Sequence, residues 1–144
     1  MIRHGGLVAT RMGGRWLGVL IEGEAGCGKS DLAFRALDAG FRLVADDRVL
    51  LWSSAGRLYG RAPETLAGLM EVRGLDVIAL SPLPLAEVGL LVRCAAAERL
   101  PEPQAESVLG VEVPRLALSP LEASAPAKLR RALALFDRDP NRRI

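Results

Sequence analysis

The sequence predicts an α/β domain, and three features lead to that prediction. An apolar run at Leu17–Ile21 has the length of a buried strand, and a glycine-rich segment and a helical pattern follow it directly. More apolar runs of strand length come later, and a second helical pattern lies near the C-terminus. With 144 residues, 50% of them hydrophobic, the chain can bury the core of one domain, which we expect to span residues 1–144.

The N-terminal half begins with a predicted hairpin. Residues Gly5 to Trp16 alternate weakly between apolar and polar side chains, and Gly13-Gly14 is a turn signal that leads into the strand at Leu17–Ile21. A helix is predicted from Ser30, because its apolar residues repeat at helical spacing, and Gly40 provides the stop signal.

The remaining elements are short strands and one helix. A strand is predicted at Arg42–Ala45, and the helical spacing near the C-terminus predicts a helix that Ser124 and Pro126 begin. A loop is expected at Leu100–Gln104, which contains two prolines. The other predicted strands are Val49–Trp52 with a return through Leu58 and Tyr59, Val77–Leu80, Val88–Cys94 and Val113–Leu118.

Composition excludes several classes of function. The formal charge is +2 and the arginines are scattered, which predicts neither a nucleic-acid nor a membrane partner. Cys27 and Cys94 lie far apart with no C-x-x-C, so we expect free thiols rather than a zinc site or a disulfide. The sequence contains no signal peptide, and no apolar run approaches the length of a membrane span, about 20 residues. We therefore expect a cytoplasmic protein.

The glycine-rich segment predicts a phosphate-binding loop. It fits G-x-x-x-x-G-K-[ST] and has the strand–loop–helix context that this motif requires. Unpaired N–H groups at the start of the helix would face phosphate oxygens, the lysine would reach the β- and γ-phosphates, and the serine would bind Mg²⁺. The predicted nucleotide-binding residues are Gly23, Glu24, Ala25, Gly26, Cys27, Gly28, Lys29 and Ser30.

Two further groups of polar residues are candidates for the same site. Asp46-Asp47 follows a predicted strand after the loop's helix, where such proteins place a carboxylate near the metal, although a solvated turn is an equal alternative. Glu71 and Arg73 would share one side of an extended strand, which alone is typical of a surface ion pair. His4, the one histidine, would by itself be an exposed N-terminal residue.

Taken in order, these segments resemble the catalytic domain of HPr kinase/phosphorylase. The resemblance rests on His4-Gly5, the phosphate-binding loop, Arg42–Val49 with its V-A-D-D sequence, and residues 62–75 ending in E-V-R-G-L. The resemblance is strong from Leu17 to about Ile78. It implies a P-loop kinase domain of the HPr kinase/phosphoenolpyruvate carboxykinase type, with a mixed sheet and flanking helices. The family's separate N-terminal domain is not in this sequence, so the resemblance implies either a short version that consists of the kinase domain alone or a trimmed chain.

The resemblance also implies an activity and a role for each candidate residue. It implies an ATP- and Mg²⁺-dependent kinase, with pyrophosphate as another possible donor, that phosphorylates a serine of the phosphocarrier HPr, regulates the bacterial phosphotransferase system and assembles as a hexamer. Asp47 would be the catalytic base, Asp46 would lie beside it at the metal, and His4 would assist proton movement. Glu71 would lie near the metal with Ser30 and Asp46, and Arg73 would contact phosphate oxygens.

The direction of the reaction and two other functions stay open at this point. Asp76 stands where the family usually has glycine after R-G-L, so a reverse phosphorylase activity is expected to be weak. A small-molecule kinase on a similar scaffold would turn over a metabolite instead of a protein. A nucleotide or phosphate sensor would bind without transfer, and the combination of Asp46, Asp47, Glu71 and Arg73 argues against it.

Overall fold

The computed structural model describes residues 1–96, 99 and 101–137, and these ranges contain eleven strands, two α-helices and a short 3₁₀ helix at Glu64–Leu66. The helices are α1 (Lys29–Leu37) and α2 (Ala125–Phe136). The strands are β1 (Ile2–His4), β2 (Gly6–Met12), β3 (Arg15–Glu22), β4 (Arg42–Ala45), β5 (Arg48–Ser54), β6 (Arg57–Arg61), β7 (Leu69–Val72), β8 (Asp76–Ala79), β9 (Ala86–Cys94), β10 (Gln104–Val108) and β11 (Val111–Leu118).

Nine of these strands form one mixed sheet, and β7 and β8 form a separate hairpin. The main path of the sheet is β1-β5-β6-β9-β3-β2-β4, and β10 joins through β11, which pairs with β9. Strand β9 is central: it runs parallel to β3 and β11 and antiparallel to β6. The expected α/β fold with a mixed sheet and flanking helices is therefore confirmed.

The sheet buries a core on each face because its central strands are apolar throughout. Alternate residues of β3 face opposite sides, so Val19 and Ile21 pack with α1 and α2, whereas Leu20 packs with residues of β5, β6 and β11. Strands that are covered on both faces read as continuous apolar runs, which is the pattern at Leu17–Ile21. None of the helices in the described ranges combines the length and apolar character that a membrane span requires.

The predicted N-terminal hairpin is present as β2 and β3, which pair from Gly6↔Ile21 to Met12↔Arg15. Gly13 and Gly14 both adopt positive φ, at 60° and 78°, as a two-residue hairpin turn requires. The strand begins at Arg15, two residues before the predicted start, because pairing with β2 extends to the turn.

One predicted loop is partly wrong. Gln104 was expected in a loop, but it begins β10, which pairs antiparallel with β11 from Gln104↔Arg115 to Val108↔Val111. The connecting residues Leu109 and Gly110 adopt φ of 50° and 80°, so these two residues form a tight hairpin turn that brings β10 back onto β11. Leu100, at the other end of the predicted loop, lies outside the described residues.

Gly5 joins β1 to β2 and permits a close approach that a larger residue would prevent. A Cβ at Gly5 would lie 2.5 Å from the Ile21 carbonyl oxygen, and backbone cannot give way as a flexible side chain can. We expect Gly5→Ala to lower the free energy of unfolding by about 1–3 kcal/mol, the usual cost of overpacking, as measured by urea denaturation.

The neighbouring Gly6 provides a matched control. A Cβ at Gly6 would make only ordinary contacts, at 3.7 Å to the Ala45 oxygen and 3.8 Å to the Ala33 Cβ. Gly6→Ala is therefore expected to change stability by no more than about 0.5 kcal/mol. Equal losses in the two variants would contradict the steric argument.

Candidate functional site

The predicted phosphate-binding loop connects β3 to α1. Strand β3 ends at Glu22 and α1 begins at Lys29, so the loop's last residues lead straight into the helix N-terminus. Gly23, Gly26 and Gly28 have φ of 156°, 81° and 104°, which L side chains rarely adopt, so the glycines of the motif are required by the backbone. The N-terminus of α1 therefore opens toward the loop, as an anion site needs.

Lys29 lies folded over the loop. Its Nζ donates to the carbonyl oxygen of Gly23 at 2.8 Å and to that of Glu24 at 3.1 Å. Glu24, Ala25 and Gly26 are exposed, so the outer rim of the loop is open to solvent. A full positive charge is thus held beside backbone that an anion can reach.

Asp46 follows β4 and lies against the start of α1. Ser30 Oγ donates to Asp46 Oδ1 at 3.0 Å, and the Glu71 backbone N–H also binds the Asp46 carboxylate. The residue is 8% exposed, and this burial raises the pKa of Asp46 above its ordinary value although the hydrogen bonds oppose the shift. Paired hydroxyl and carboxylate oxygens, with a desolvated charge, form a donor set that suits Mg²⁺.

Asp47 occupies a strained turn between β4 and β5. Arg48 N–H donates to the Asp46 carbonyl at 2.9 Å, so Asp47 is the central residue of a three-residue turn, and its φ is 72°. Its side chain is 71% exposed, with Arg48 Nε 3.8 Å away. Strained backbone of this kind is concentrated at functional sites. The two adjacent carboxylates therefore have different environments, one buried and one open to solvent.

His4 lies next to this turn through backbone pairing. It is opposite Arg48 in the β1–β5 register, and the N–H of the next residue, Gly5, donates to the Asp47 carbonyl at 2.9 Å. Arg3, which the sequence pattern did not single out, holds β1 in place: its Nε and one terminal nitrogen each bind Glu22 at 2.9 Å. Glu22 immediately precedes the loop, so β1 is fastened to the loop's base.

Glu71 and Arg73 lie on the β7–β8 hairpin, which approaches Asp46 through the Glu71 backbone. The expectation that both share one side of a strand is wrong, because β7 ends at Val72 and Arg73 lies in the turn, where Gly74 has φ of 82°. Both side chains are exposed. Within the described residues no ion pair or hydrogen bond joins Arg73 to Asp46 or Asp47, and no group of three histidine, cysteine or acidic residues is arranged to hold a metal.

These features define a P-loop domain of the kinase type. They are a strand–loop–helix with this glycine geometry, a lysine over the loop and a serine–aspartate pair at the start of the helix. The chain belongs to the HPr Serine kinase C-terminal domain family, whose sequence model matches residues 2–83. The resemblance found in the sequence is thereby confirmed, and the site residues all fall within the matched range.

Individual relatives agree with this assignment. HPr kinase/phosphorylase of Clostridium beijerinckii is 45% identical over 67 residues, which cover 46% of this chain and 22% of the relative. HPr kinase/phosphorylase of Limosilactobacillus reuteri is 34% identical over 135 residues, covering 83% of this chain and 40% of the relative. The chain thus spans less than half the length of these relatives.

A solved structure extends the likeness to the fold. The HPr(Ser) kinase/phosphatase from Coxiella burnetii matches with a TM-score of 0.74 and 26% identity, and the match covers 94% of each chain. The likeness therefore includes β9 to α2, which lie beyond the family-model match.

Proposed function

We propose that residues 1–144 form a single catalytic domain that transfers a phosphoryl group to a serine of an HPr-type phosphocarrier protein, with ATP as donor and Mg²⁺ as cofactor. The observation that carries this proposal is the Ser30–Asp46 hydrogen bond beside the Lys29 loop, because it joins a phosphate site to metal-binding oxygens. The names of the relatives supply the acceptor class.

Each residue has a role that follows from its environment. The loop residues 23–28 and Lys29 would bind the phosphates, and Ser30 and Asp46, with Glu71 beside them, would hold Mg²⁺, which would neutralise phosphate charge. Asp47 would take the proton of the acceptor hydroxyl, because its carboxylate is accessible. His4 would assist that proton movement, and Arg73 would contact the transferred phosphate from the hairpin turn.

The exposure of the site favours a protein acceptor over a small metabolite. Asp47, Glu71 and Arg73 all have exposed side chains, so a serine on the surface of another protein can reach them. A metabolite kinase instead encloses its substrate to exclude water.

The decisive experiment is incubation of the protein with labelled ATP, Mg²⁺ and purified HPr, followed by localisation of the label. Label on an HPr serine supports the proposal, and a parallel reaction with pyrophosphate tests the second donor. Hydrolysis or transfer to a metabolite without label on HPr would contradict it, as would binding without turnover. Incubation of phosphoserine-HPr with phosphate measures the reverse reaction, which we expect to be weaker, and sedimentation tests the proposed hexamer.

Asp46 provides a test of the metal site that does not depend on activity. Mg²⁺ with ATP should raise the melting temperature of the wild-type protein, since a ligand at 100 times its Kd stabilises the folded state by about 2.7 kcal/mol. Asp46→Asn should lose the Mg²⁺-dependent part of this rise. Asp38→Asn, an exposed aspartate at the C-terminal end of α1, is the matched control and should keep it.

The same variant tests the electrostatics of Asp46 without ligand. The pKa of Asp46 is raised in the folded state, so protonation of its carboxyl stabilises the fold. This stabilisation is fully present below pH 3.8, the ordinary pKa, and is lost as the pH rises through the raised pKa. Asp46→Asn should therefore gain stability relative to wild type at neutral pH and lose that advantage toward pH 4. A constant difference across this range, measured by urea denaturation, would contradict the assignment.

A further inference from the structure

The two cysteines, 67 positions apart in sequence, meet at the base of the phosphate-binding loop. Glu22 of β3 is opposite Arg93 of β9, so Gly23, which follows β3, and Cys94, the last residue of β9, lie side by side. A Cβ at Gly23 would lie 2.7 Å from Cys27 Sγ and 3.0 Å from Cys94 Cβ. Both side chains thus occupy the space above this glycine, and beyond the effect of burial the Cys27 thiol is close enough to contribute to the raised pKa of Cys94.

We propose that Cys27 and Cys94 form a reversible disulfide that tethers the phosphate-binding loop to β9 and weakens nucleotide binding. The chain has two cysteines, so one intramolecular disulfide is available. Gly26 and Gly28, on either side of Cys27, have positive φ and give the loop the backbone freedom to reach the bonded geometry. The nucleotide effect rests on the proposed function, whereas formation of the disulfide does not.

The loop is the partner that has to move. Strand β9 is held by three neighbouring strands, and a disulfide brings its sulfurs to about 2.05 Å, closer than two unbonded thiols approach. The movement would displace the Gly28 N–H at the start of α1 and break the bond that the Cys27 N–H donates to the Glu24 carbonyl at 3.1 Å, so the loop would lose the shape that binds phosphate. A lost hydrogen bond to a charged phosphate oxygen costs roughly tenfold or more in affinity, so we expect affinity for nucleotide to fall at least tenfold.

The chemistry balances with hydrogen peroxide as oxidant. The Cys27 thiolate attacks one peroxide oxygen, the O–O bond breaks, and with one proton this gives a sulfenic acid and water. The Cys94 sulfur then attacks the sulfenic sulfur, forming the S–S bond, and its proton leaves with the displaced hydroxyl as a second water. Burial raises the pKa of Cys94 to about 12, which assigns the first attack to Cys27, and the nearby Lys29 charge opposes that shift.

The experiment uses the full chain, one equivalent of hydrogen peroxide, and Cys94→Ser as the comparison. We expect the oxidised wild type to lose two hydrogens by intact mass, to bind Mg²⁺–ATP at least tenfold more weakly by calorimetry, and to recover both properties with dithiothreitol. Cys94→Ser should bind Mg²⁺–ATP like the reduced wild type and keep most of that affinity after the same treatment.

The results that would overturn this inference differ from those that would overturn the proposed function. Absence of the disulfide mass, unchanged affinity despite the disulfide, or an equal loss in Cys94→Ser would overturn the tether. If the reduced protein fails to bind Mg²⁺–ATP, the proposed function fails. The tether is then judged by the disulfide mass and by altered hydrogen exchange of residues 23–28, and it is overturned if either is missing.

Discussion

Lys29→Ala is expected to lower phosphoryl transfer from ATP to HPr by at least ~10²-fold. The Lys29 ammonium is held over the loop by the carbonyls of Gly23 and Glu24, so it is positioned to stabilise charge that develops on the transferred phosphate. Removing one such preorganised donor typically costs ~10²- to 10³-fold in rate. The initial rate of label transfer to HPr, at saturating Mg²⁺–ATP, measures the effect.

The other lysine of the chain is a matched control. Lys128 lies on α2 and pairs with Glu122 on an exposed surface, where an ion pair contributes about 1 kcal/mol at most. Lys128→Ala should therefore retain near-wild-type transfer. Unfolding curves of both variants should stay close to wild type, because neither side chain belongs to the apolar core. Near-wild-type transfer by Lys29→Ala would contradict the assignment of the loop as the phosphate-binding site.

Local sequence pattern predicted the loop and its flanking elements because their geometry is local. The glycine spacing around Lys29 determines the backbone of residues 23–28, and the Gly13-Gly14 turn determines the register of β2 on β3. The family resemblance added the fold type and the set of candidate residues. The pairing of β9 with three different strands depends on contacts between distant segments, which no local pattern encodes.

The candidate site was predicted as a set of residues but not in its arrangement. The family resemblance gave Asp46 and Asp47 different roles, but it did not show that the turn at Asp47 buries Asp46 against Ser30 and leaves Asp47 exposed. The free thiols of Cys27 and Cys94 were expected, whereas their contact follows from the β3–β9 register. Such features depend on tertiary pairing and could not be read from spacing.

Asp47→Asn is expected to reduce transfer to HPr by ~10²- to 10⁴-fold while Mg²⁺–ATP binding stays nearly unchanged. An amide cannot accept the proton of the serine hydroxyl, and this range is typical of a general base. Asparagine is also suited to this position because, like aspartate, it tolerates the positive φ of 72° that the turn requires. The substitution therefore removes the carboxylate and preserves the backbone, which alanine would not do.

The assignment of the base to Asp47 rather than Asp46 is decided by comparing rate and binding in the two asparagine variants. The buried Asp46, bonded to Ser30 Oγ, should affect Mg²⁺–ATP affinity as well as rate, whereas the exposed Asp47 should affect the rate alone. Single-turnover transfer and calorimetric titration separate these effects, because the base acts only after the nucleotide is bound. If Asp46→Asn abolished transfer with full Mg²⁺ affinity while Asp47→Asn stayed active, the two roles would be exchanged. The strained turn at Asp47 would then serve to place Asp46, since the Arg48 N–H that closes it donates to the Asp46 carbonyl.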